Sequence, residues 1–221
     1  MATVIIQARI GSTRLPGKAL MPILGKPMLW YTIESLKRSP GVDRVVLAIP
    51  DNKKDLPLTG LADSCGIWVY RGSEENVLQR FYEAAQCFED DYYFRATGDN
   101  PIMDMNNPKR TLDYLQAHKL DYAAERYMPI GTVVEGFTRE ALERAYKEGS
   151  TEEDIEHVTW YMKKSGTFNM AFFDAPKEFR FPKLRLTVDY PEDFKRVTAI
   201  IEHLYKRDIP SFKEVIAYIN P

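Results

Sequence analysis

The sequence predicts an α/β fold in which a mostly parallel sheet is covered by helices on both faces. Segments rich in β-branched residues alternate with segments whose apolar residues recur at helical spacing, which is typical of such sheets. With 221 residues the chain is long enough to bury a full core, and no low-complexity tract or flexible linker divides it. We therefore expect a single domain over residues 1–221, with a less regular subregion around 121–183.

The first half of the chain repeats a pattern of strand, loop and helix. Thr3–Ala8 (TVIIQA) is an apolar, β-branched segment that stops at a glycine-rich loop, and Met28–Leu36 (MLWYTIESL) has the apolar spacing of a helix. The same two patterns return further along the chain. They predict strands at 44–49, 67–70 and 92–97 and helices at 56–64, 77–88 and 108–118.

The second half of the chain is less regular. Its apolar patterns predict helices at 138–148, 151–164, 191–204 and 211–219 and strands at 169–173 and 184–188. Parallel sheets bind their ligands at the carboxyl ends of the strands. We therefore expect functional residues directly after the strands.

Composition and charge exclude several classes of function. The net charge of −2 gives no reason to expect a surface that wraps nucleic acid. No apolar run approaches the roughly 18 residues that span a bilayer, and the N-terminus lacks the pattern of a signal peptide. We expect a cytoplasmic protein with neither nucleic acid nor a membrane as partner. Cys65 and Cys87 have no partner at metal-ligand spacing, so both are expected to be buried thiols.

A glycine-rich, cationic loop, QARIGSTRLPGKAL, follows the first strand at Gln7–Leu20. It does not match the Walker A pattern, because alanine follows Lys18, and it lacks the G-x-G-x-x-G dinucleotide pattern. The residues of the loop are still suited to binding a phosphate. Glycines let backbone amides approach an anion, and Arg9, Arg14 and Lys18 supply three cations. The alternative is an exposed loop whose basic side chains are solvated.

Four segments, in order, resemble the cytidylyltransferase family, which includes the synthetases that activate sialic acid and KDO. Residues 7–20, with GKPML at 25–29, resemble the opening signature of that family. The later segments resemble its SpsF-like branch of spore-coat polysaccharide proteins, and they are RGSEENVLQRFYEAA at 71–85, RATGDNPIMD at 95–104, and EHVT at 156–159 followed by RLTVDYPEDF at 185–194. The resemblance covers nearly the whole chain. It implies a Rossmann-like, three-layer α/β/α nucleotidyltransferase fold, that of the nucleotide-diphospho-sugar transferases.

The resemblance also implies an activity: transfer of CMP from CTP to an acidic sugar or phosphorylated small molecule, with release of pyrophosphate, in polysaccharide or glycan precursor biosynthesis. Arg14 and Lys18 would be catalytic, because fixed cations stabilise the charge that builds on the leaving pyrophosphate. The implied nucleotide-binding residues are Ala8, Arg9, Gly11, Ser12, Arg14, Lys18, Arg71, Gly72, Ser73 and Asp99. Relatives often carry aspartate where Asn76 stands, so the choice of CTP is taken from the family alone.

Two aspartates follow predicted strands, Asp99 in TGDNP and Asp189 in LTVDYP. Magnesium prefers oxygen ligands and commonly takes one or two carboxylates together with substrate phosphates. The resemblance assigns the catalytic metal ligands to these two positions, with Mg²⁺ as the cofactor. The alternative is that each aspartate caps the turn or helix after it, next to Pro101 and Pro191.

The candidates for binding the acceptor are Glu135 in GTVVEGF and the pair Glu156 and His157 in EHVT. Glu156 and His157 are neighbours on a predicted helix, so their side chains diverge by about 100° and we expect one to face the site while the other packs. Glu135 has a second interpretation as a cap near Thr138. An ionised acceptor needs no protein base, whereas a sugar hydroxyl needs one, and the sequence leaves this choice open.

Two other functions stay open. A glycosyltransferase-like protein would bind a finished nucleotide sugar, although three loop cations suit a triphosphate better. A non-catalytic nucleotide-binding protein would keep the fold without turnover, although both aspartates and all three cations are present. Relatives are often dimers, so the resemblance also implies a homodimer.

Overall fold

A seven-stranded sheet crosses the protein, and the computed structural model describes residues 1–220. The strands, with a separate hairpin of β2 and β3, are β1 (Ala2–Gln7), β2 (Pro22–Ile23), β3 (Lys26–Pro27), β4 (Arg44–Pro50), β5 (Trp68–Gly72), β6 (Tyr92–Thr97), β7 (Tyr122–Arg126), β8 (Glu135–Thr138) and β9 (Met170–Asp174). The order across the sheet is β5-β4-β1-β6-β8-β7-β9. Only β8 is antiparallel to its neighbours in this sheet, which confirms the predicted mostly parallel arrangement.

Helices cover both faces of the sheet. They are α1 (Met28–Lys37), α2 (Pro57–Cys65), α3 (Val77–Gln86), α4 (Asn107–His118), α5 (Arg139–Glu148), α6 (Glu152–His157), α7 (Trp160–Lys164), α8 (Pro191–Leu204) and α9 (Phe212–Ile219). Among the residues that the structure describes, no helix combines the length and the apolar character that crossing a bilayer requires.

The central strand β1 shows why the fold has three layers. Val4 and Ile6 pack with α1 and α2 on one face, whereas Ile5 between them packs with α3 and α5 on the other. All three side chains are fully buried. Successive side chains of a strand point to opposite faces, and each such burial contributes about 1.5–3 kcal/mol. An uninterrupted apolar run is therefore what a sheet covered on both sides requires.

A third apolar cluster joins the end of the chain to the sheet edge where the strands end. Leu186 and Val188 pack against α8 and α9. The predicted strand at 184–188 is wrong, because this segment lies outside the sheet. Among the described residues it forms a single bridge, between Ile130 and Arg185. Its backbone instead bonds to loops, and Val188 N–H donates to the Asp99 carbonyl at 2.8 Å.

Two further predictions need correction. The helix predicted at 151–164 is broken into α6 and α7 at buried Val158, whose φ of 48° and ψ of −56° cannot continue a helix. The prediction that both thiols are buried is right for Cys65 and wrong for Cys87, which is exposed at the end of α3. Cys87 lies beyond the apolar face that packs α3 on the sheet, and its thiol bonds to the Glu83 carbonyl.

Candidate functional site

A large cavity of about 1060 Å³ lies where β1 and β6 end. Its walls come from the loop after β1, the start of α3, the loop after β6, helix α6 and the segment before α8, with lining residues in the ranges 7–19, 74–80, 95–100, 130–131, 152–157 and 185–189. These segments are far apart in the chain and meet because β1 and β6 are parallel neighbours in the sheet. The cavity therefore lies at the sheet edge that the sequence indicated.

Lys18 links the two strand-end aspartates at the centre of the cavity. Its ammonium lies 2.9 Å from Asp99 Oδ2 and 3.2 Å from Asp189 Oδ1, and it donates to the Val188 carbonyl at 2.7 Å. Lys18 and Asp189 are both buried. The structure thus brings together three residues that were assigned separately from the sequence, and Lys18 is not a solvated loop residue.

Two arginines complete the charge around Asp189. Arg14 donates to Asp189 Oδ1 at 2.6 Å, and Arg185 pairs with the other carboxylate oxygen. Burial by itself raises the pKa of Asp189, but the hydrogen bond and charge of Lys18, then Arg14, outweigh burial and hold the pKa below its usual value. Asp189 is therefore ionised at neutral pH and shared among three cations.

Backbone features place these groups. Gly17 has a φ of 73°, and it starts the short helical turn at Lys18 that aims the lysine inward. Gly98 lies where the loops after β1 and β6 touch, and a Cβ there would be 2.9 Å from Ala8 Cβ and 3.0 Å from Leu29 Cδ1. The absence of a side chain at Gly98 allows the close approach that puts Asp99 beside Lys18.

The capping alternative for the aspartates does not describe this structure. At the start of α8 it is Asp193 that accepts the backbone N–H groups of Asp189 and Tyr190, at 3.0 and 3.1 Å. The carboxylate of Asp189 is left for Lys18 and the arginines. Asp99 is also remote from a helix start, since α4 begins only at Asn107.

Asp99 and Asp189 are suited to hold a divalent cation whose remaining ligands would include oxygens of a bound phosphate. Asp99 and Asp189 each have an oxygen within hydrogen-bond distance of one Lys18 nitrogen, so the two carboxylates converge on one small volume. Within residues 1–220, no group of three or more acidic, histidine or cysteine side chains could hold a metal. Magnesium commonly uses one or two carboxylates and completes its shell with phosphate oxygens and water.

The other predicted nucleotide-binding residues divide into two groups. Ala8, Arg9 and Ser12 line the cavity with Lys18. Gly11 does not line it and instead approaches Lys54, whose Nζ would be 2.9 Å from an added Cβ.

The RGS segment at residues 71–73, where β5 ends, also lies outside the cavity wall. Arg71 pairs with Asp51 at 2.5 Å, and Gly72 and Ser73 contact Arg80. Gly72 and Ser73 therefore support the wall residue Arg80 from behind, whereas Arg71 forms an ion pair at the surface.

Glu135 does not line the cavity, because its carboxylate is fully engaged. It accepts hydrogen bonds from Arg95 at 2.9 Å, Lys163 at 2.8 Å, Tyr122 at 2.6 Å and Thr159 at 2.9 Å. Burial raises its pKa, but Arg95 and then Lys163 dominate and lower the pKa to about 2. The interpretation of Glu135 as a cap is also unsupported, because Thr138 caps α5.

The cluster of Arg95, Lys163 and Glu135 has one more positive than negative charge, and of its members Arg95 lines the cavity. Arg95 and Lys163 share the single carboxylate of Glu135, and Arg95 lines the cavity while it donates to Gln7 at 3.1 Å. Two cations with one anion leave about one positive charge in a partly desolvated setting. Such a setting attracts an anionic group of a ligand.

Glu156 and His157 both line the cavity, so the expectation that one of them packs away from the site is wrong. They lie at the end of the short helix α6, which begins with a capping box of Thr151 and Asp154. The turn at Val158 then directs the chain toward Glu135, because Thr159 donates to it. The structure therefore places these two residues on the same side of the cavity as Arg95.

Several residues of the cavity wall were missed in the sequence, among them Arg80, Arg95, Asn100 and Arg185. Arg95 and Asn100 stand inside the quoted segment RATGDNP, so their place at a strand end was an available signal. Asn100 is buried, and its Oδ1 has no hydrogen-bond partner within the described part of the chain. Arg80 is a helical residue in an apolar pattern, and nothing local marks it.

Comparisons with known proteins agree with this geometry. A family model described as cytidylyltransferase matches residues 3–214. The spore coat polysaccharide biosynthesis protein SpsF of Bacillus subtilis is 33% identical over 225 residues, covering 98% of this chain and 92% of that protein.

Solved structures of similar proteins share the fold. A cytidylyltransferase from Leptospira borgpetersenii has a TM-score of 0.90 at 29% identity, covering 99% of this chain and 93% of the other. A CMP:2-keto-3-deoxy-manno-octonic acid synthetase complexed with CTP has a TM-score of 0.69 at 20% identity, covering 91% and 98% of the two chains. The predicted nucleotidyltransferase fold is confirmed.

Proposed function

The chain belongs to the cytidylyltransferase family, and on that premise we propose that it transfers CMP from CTP to an anionic small-molecule acceptor and releases pyrophosphate. The observation that carries the proposal is the contact of Lys18 with Asp99 and Asp189 in the wall of the cavity. A triphosphate needs cations, a magnesium ion needs carboxylates, and this cluster holds both within hydrogen-bond distance. The cavity volume of about 1060 Å³ leaves room for two substrates.

In the proposed reaction an acceptor oxygen attacks the α-phosphorus in line with the leaving pyrophosphate. Lys18 and Arg14 hold the triphosphate and neutralise the charge that grows on the leaving group, and Arg9 and Ser12 contribute from the same loop. Mg²⁺, held by Asp99 and Asp189, would draw charge from the phosphate oxygens. Since Lys18 bonds to both aspartates in this structure, nucleotide binding replaces part of its contacts with contacts to phosphate.

The acceptor is proposed to bind on the side of the cavity where Arg95 lies. The net positive cluster of Arg95, Lys163 and Glu135 favours a carboxylate or phosphate there. His157 and Glu156 stand on the same wall and would accept or share a proton if the attacking oxygen belongs to a hydroxyl. Similarity to SpsF supports a role in the synthesis of a polysaccharide precursor.

The two rival functions differ from this one in measurable ways. A protein that binds finished nucleotide sugars would prefer a diphosphate sugar to CTP, and a non-catalytic protein would bind CTP without releasing pyrophosphate. A thermal-shift panel of the four nucleoside triphosphates and their diphosphates, each with and without Mg²⁺, separates the first case. A ligand at 100 times its Kd stabilises by about 2.7 kcal/mol, or roughly 5–10 °C for a chain of this length.

Product formation with candidate acceptors separates the second case. Asp99→Asn and Asp189→Asn should each lower pyrophosphate release by roughly 100-fold or more while the protein stays folded. Asp113→Asn is the matched control, because Asp113 is an exposed residue that pairs with Lys109 on α4. Undiminished turnover in both site variants would refute the metal assignment. The homodimer stays a prediction that sedimentation equilibrium tests.

A further inference from the structure

Asp55 is a buried carboxylate in the loop that joins β4 to α2. Its exposed fraction is 1%, although the residues on either side of it are exposed. Its Oδ1 accepts the backbone N–H of Ile10 at 2.5 Å, and within residues 1–220 this is the one hydrogen bond that its carboxylate receives. A charged side chain is costly to bury unless polar groups contact it, so the burial of Asp55 depends on Ile10.

The N–H of Ile10 lies just beyond the last hydrogen bond between β1 and β4. Bonds in a parallel ladder recur at every second residue, and Ala8 N–H donates to the Ala48 carbonyl at 3.3 Å. The next acceptor in this series would be the Pro50 carbonyl, which instead accepts an N–H within its own turn at 3.0 Å. The Asp55 carboxylate thus replaces the strand carbonyl that the turn after β4 removes.

Ile10 is also the residue on which the cationic loop closes. Its carbonyl accepts the N–H groups of Ser12 at 2.8 Å and of Gly17 at 3.0 Å, so the segment 11–17 begins and ends at this one residue. Asp55 holds the backbone N–H of the same residue. A displacement of Ile10 would therefore move the whole segment.

The positions of Arg14 and Lys18 depend on this segment. Arg14 lies inside it, and Lys18 follows it directly. Their side chains converge on Asp189, at 2.6 Å and 3.2 Å. Fixed charges stabilise a developing anion more than mobile ones do, because they need no reorganisation during the reaction. The hydrogen bond to Ile10 therefore bears on how well the loop is pre-organised for an anion.

We propose, on the premise of the proposed function, that Asp55 is a positioning residue whose hydrogen bond to Ile10 keeps the cationic loop in the conformation that receives the triphosphate. The acceptor oxygen of Asp55, and not its charge, is what the loop requires. Its charge also acts nearby, since burial and Arg9 lower the pKa of Arg80 to about 10 and Asp55 opposes them. Asparagine separates the two effects, because it keeps an acceptor oxygen and loses the charge.

The test compares Asp55→Asn with Asp55→Leu, which has a similar shape but no acceptor. Titration calorimetry measures the binding of CTP and of inorganic tripolyphosphate to the full chain with Mg²⁺. Asp55→Leu should bind both ligands roughly tenfold more weakly than Asp55→Asn, whose affinities should lie within about threefold of the wild-type values. Asp43→Leu is the matched control, because Asp43 accepts the Ala2 N–H at 2.8 Å at the opposite end of β1. It should change neither affinity.

Hydrogen exchange followed by mass spectrometry measures the order of the loop without any ligand. In peptides that span residues 9–18, exchange should be roughly tenfold faster in Asp55→Leu than in Asp55→Asn, and it should be unchanged in Asp43→Leu. A positioning role confines this change to the loop, whereas a general loss of stability would speed up exchange throughout the protein. Asp55→Ala makes the same comparison if the leucine variant does not fold.

The outcomes separate this inference from the proposed function. Equal affinities, or equal exchange of the loop, in folded Asp55→Leu and Asp55→Asn would overturn the inference and leave the proposed function standing. Faster exchange throughout Asp55→Leu would do the same, because Asp55 would then stabilise the fold in general. A wild-type protein that binds neither CTP nor tripolyphosphate would overturn both.

Discussion

Replacement of Glu135 by glutamine tests whether this residue is an internal counter-ion. Its carboxylate accepts four hydrogen bonds, two of them from the cations Arg95 and Lys163. Glutamine keeps the shape and one acceptor oxygen for the hydroxyl donors. Glu135→Gln therefore removes mainly the charge, and it leaves two cations close together without an anion.

The size of the effect follows from the pKa of Glu135, which the surroundings lower from 4.5 to about 2. One pKa unit corresponds to about 1.4 kcal/mol, so the ionised carboxylate contributes ~3 kcal/mol to the free energy of unfolding at pH 7. Loss of one partner from a buried ion pair independently costs about 3–5 kcal/mol. We expect Glu135→Gln to be less stable than the wild-type protein by about 3 kcal/mol at pH 7.

The pH dependence has a definite sign. Because the folded pKa of Glu135 lies below the unfolded value, its contribution is fully present above pH 4.5 and is lost as pH falls toward 2. The stability difference between the wild-type protein and Glu135→Gln should therefore shrink to about half at pH 3. Urea unfolding followed by circular dichroism at pH 7, 4.5 and 3 measures it. Glu143→Gln is the control, since Glu143 is an exposed helix residue paired with Lys147.

Two results would refute this reasoning. A difference below about 1 kcal/mol at pH 7 would mean that the cluster does not depend on the Glu135 charge. A difference that stays constant from pH 7 to pH 3 would mean that the variant loses packing and not a charge interaction. If Glu135→Gln is stable but no longer uses the acceptor, the residue contacts the substrate directly, as the sequence had suggested.

Three further predictions concern the loop, a glycine and the thiols. Arg14→Ala should weaken CTP binding by roughly tenfold and leave cytidine binding unchanged, and equal losses in a titration of both would show that the loop is structural. Gly98→Ala should lower the free energy of unfolding by about 1–3 kcal/mol, because the added methyl group would lie 2.9 Å from a neighbouring side chain. In contrast, Gly60→Ala, at a position on α2 with open space around it, should raise the free energy of unfolding by about 0.5–1 kcal/mol. A thiol reagent should label Cys87 but not Cys65 in the native protein and both after denaturation, and rapid labelling of both in native conditions would contradict the described burial.

Particular elements show which parts of the fold could be predicted. Strands β1 and β4 were evident because they are buried on both faces and consist of nearly unbroken apolar runs. β7 (YAAER) and β8 (EGFT) were missed because they contain few β-branched residues. In β8, position 136 is a glycine because α4 lies against it, and a Cβ there would be 2.7 Å from Thr111 Cγ2. A residue whose small size is required by contact with a distant helix adds nothing to the strand pattern of the local sequence.

By itself, the sequence determined the mostly parallel α/β architecture, the cationic loop after the first strand and the carboxylates Asp99 and Asp189. These follow from local patterns, since periodicity, glycine content and residue type are properties of neighbours in the chain. Only the tertiary structure decided that Lys18 joins both aspartates, over sequence separations of 81 and 171 residues. It also decided that the carboxylate of Glu135 is a counter-ion with four hydrogen-bond donors, and that Arg80 is a buried cation that forms no ion pair within residues 1–220. Charge pairing and burial depend on which distant segments the sheet brings together, and no local pattern encodes them.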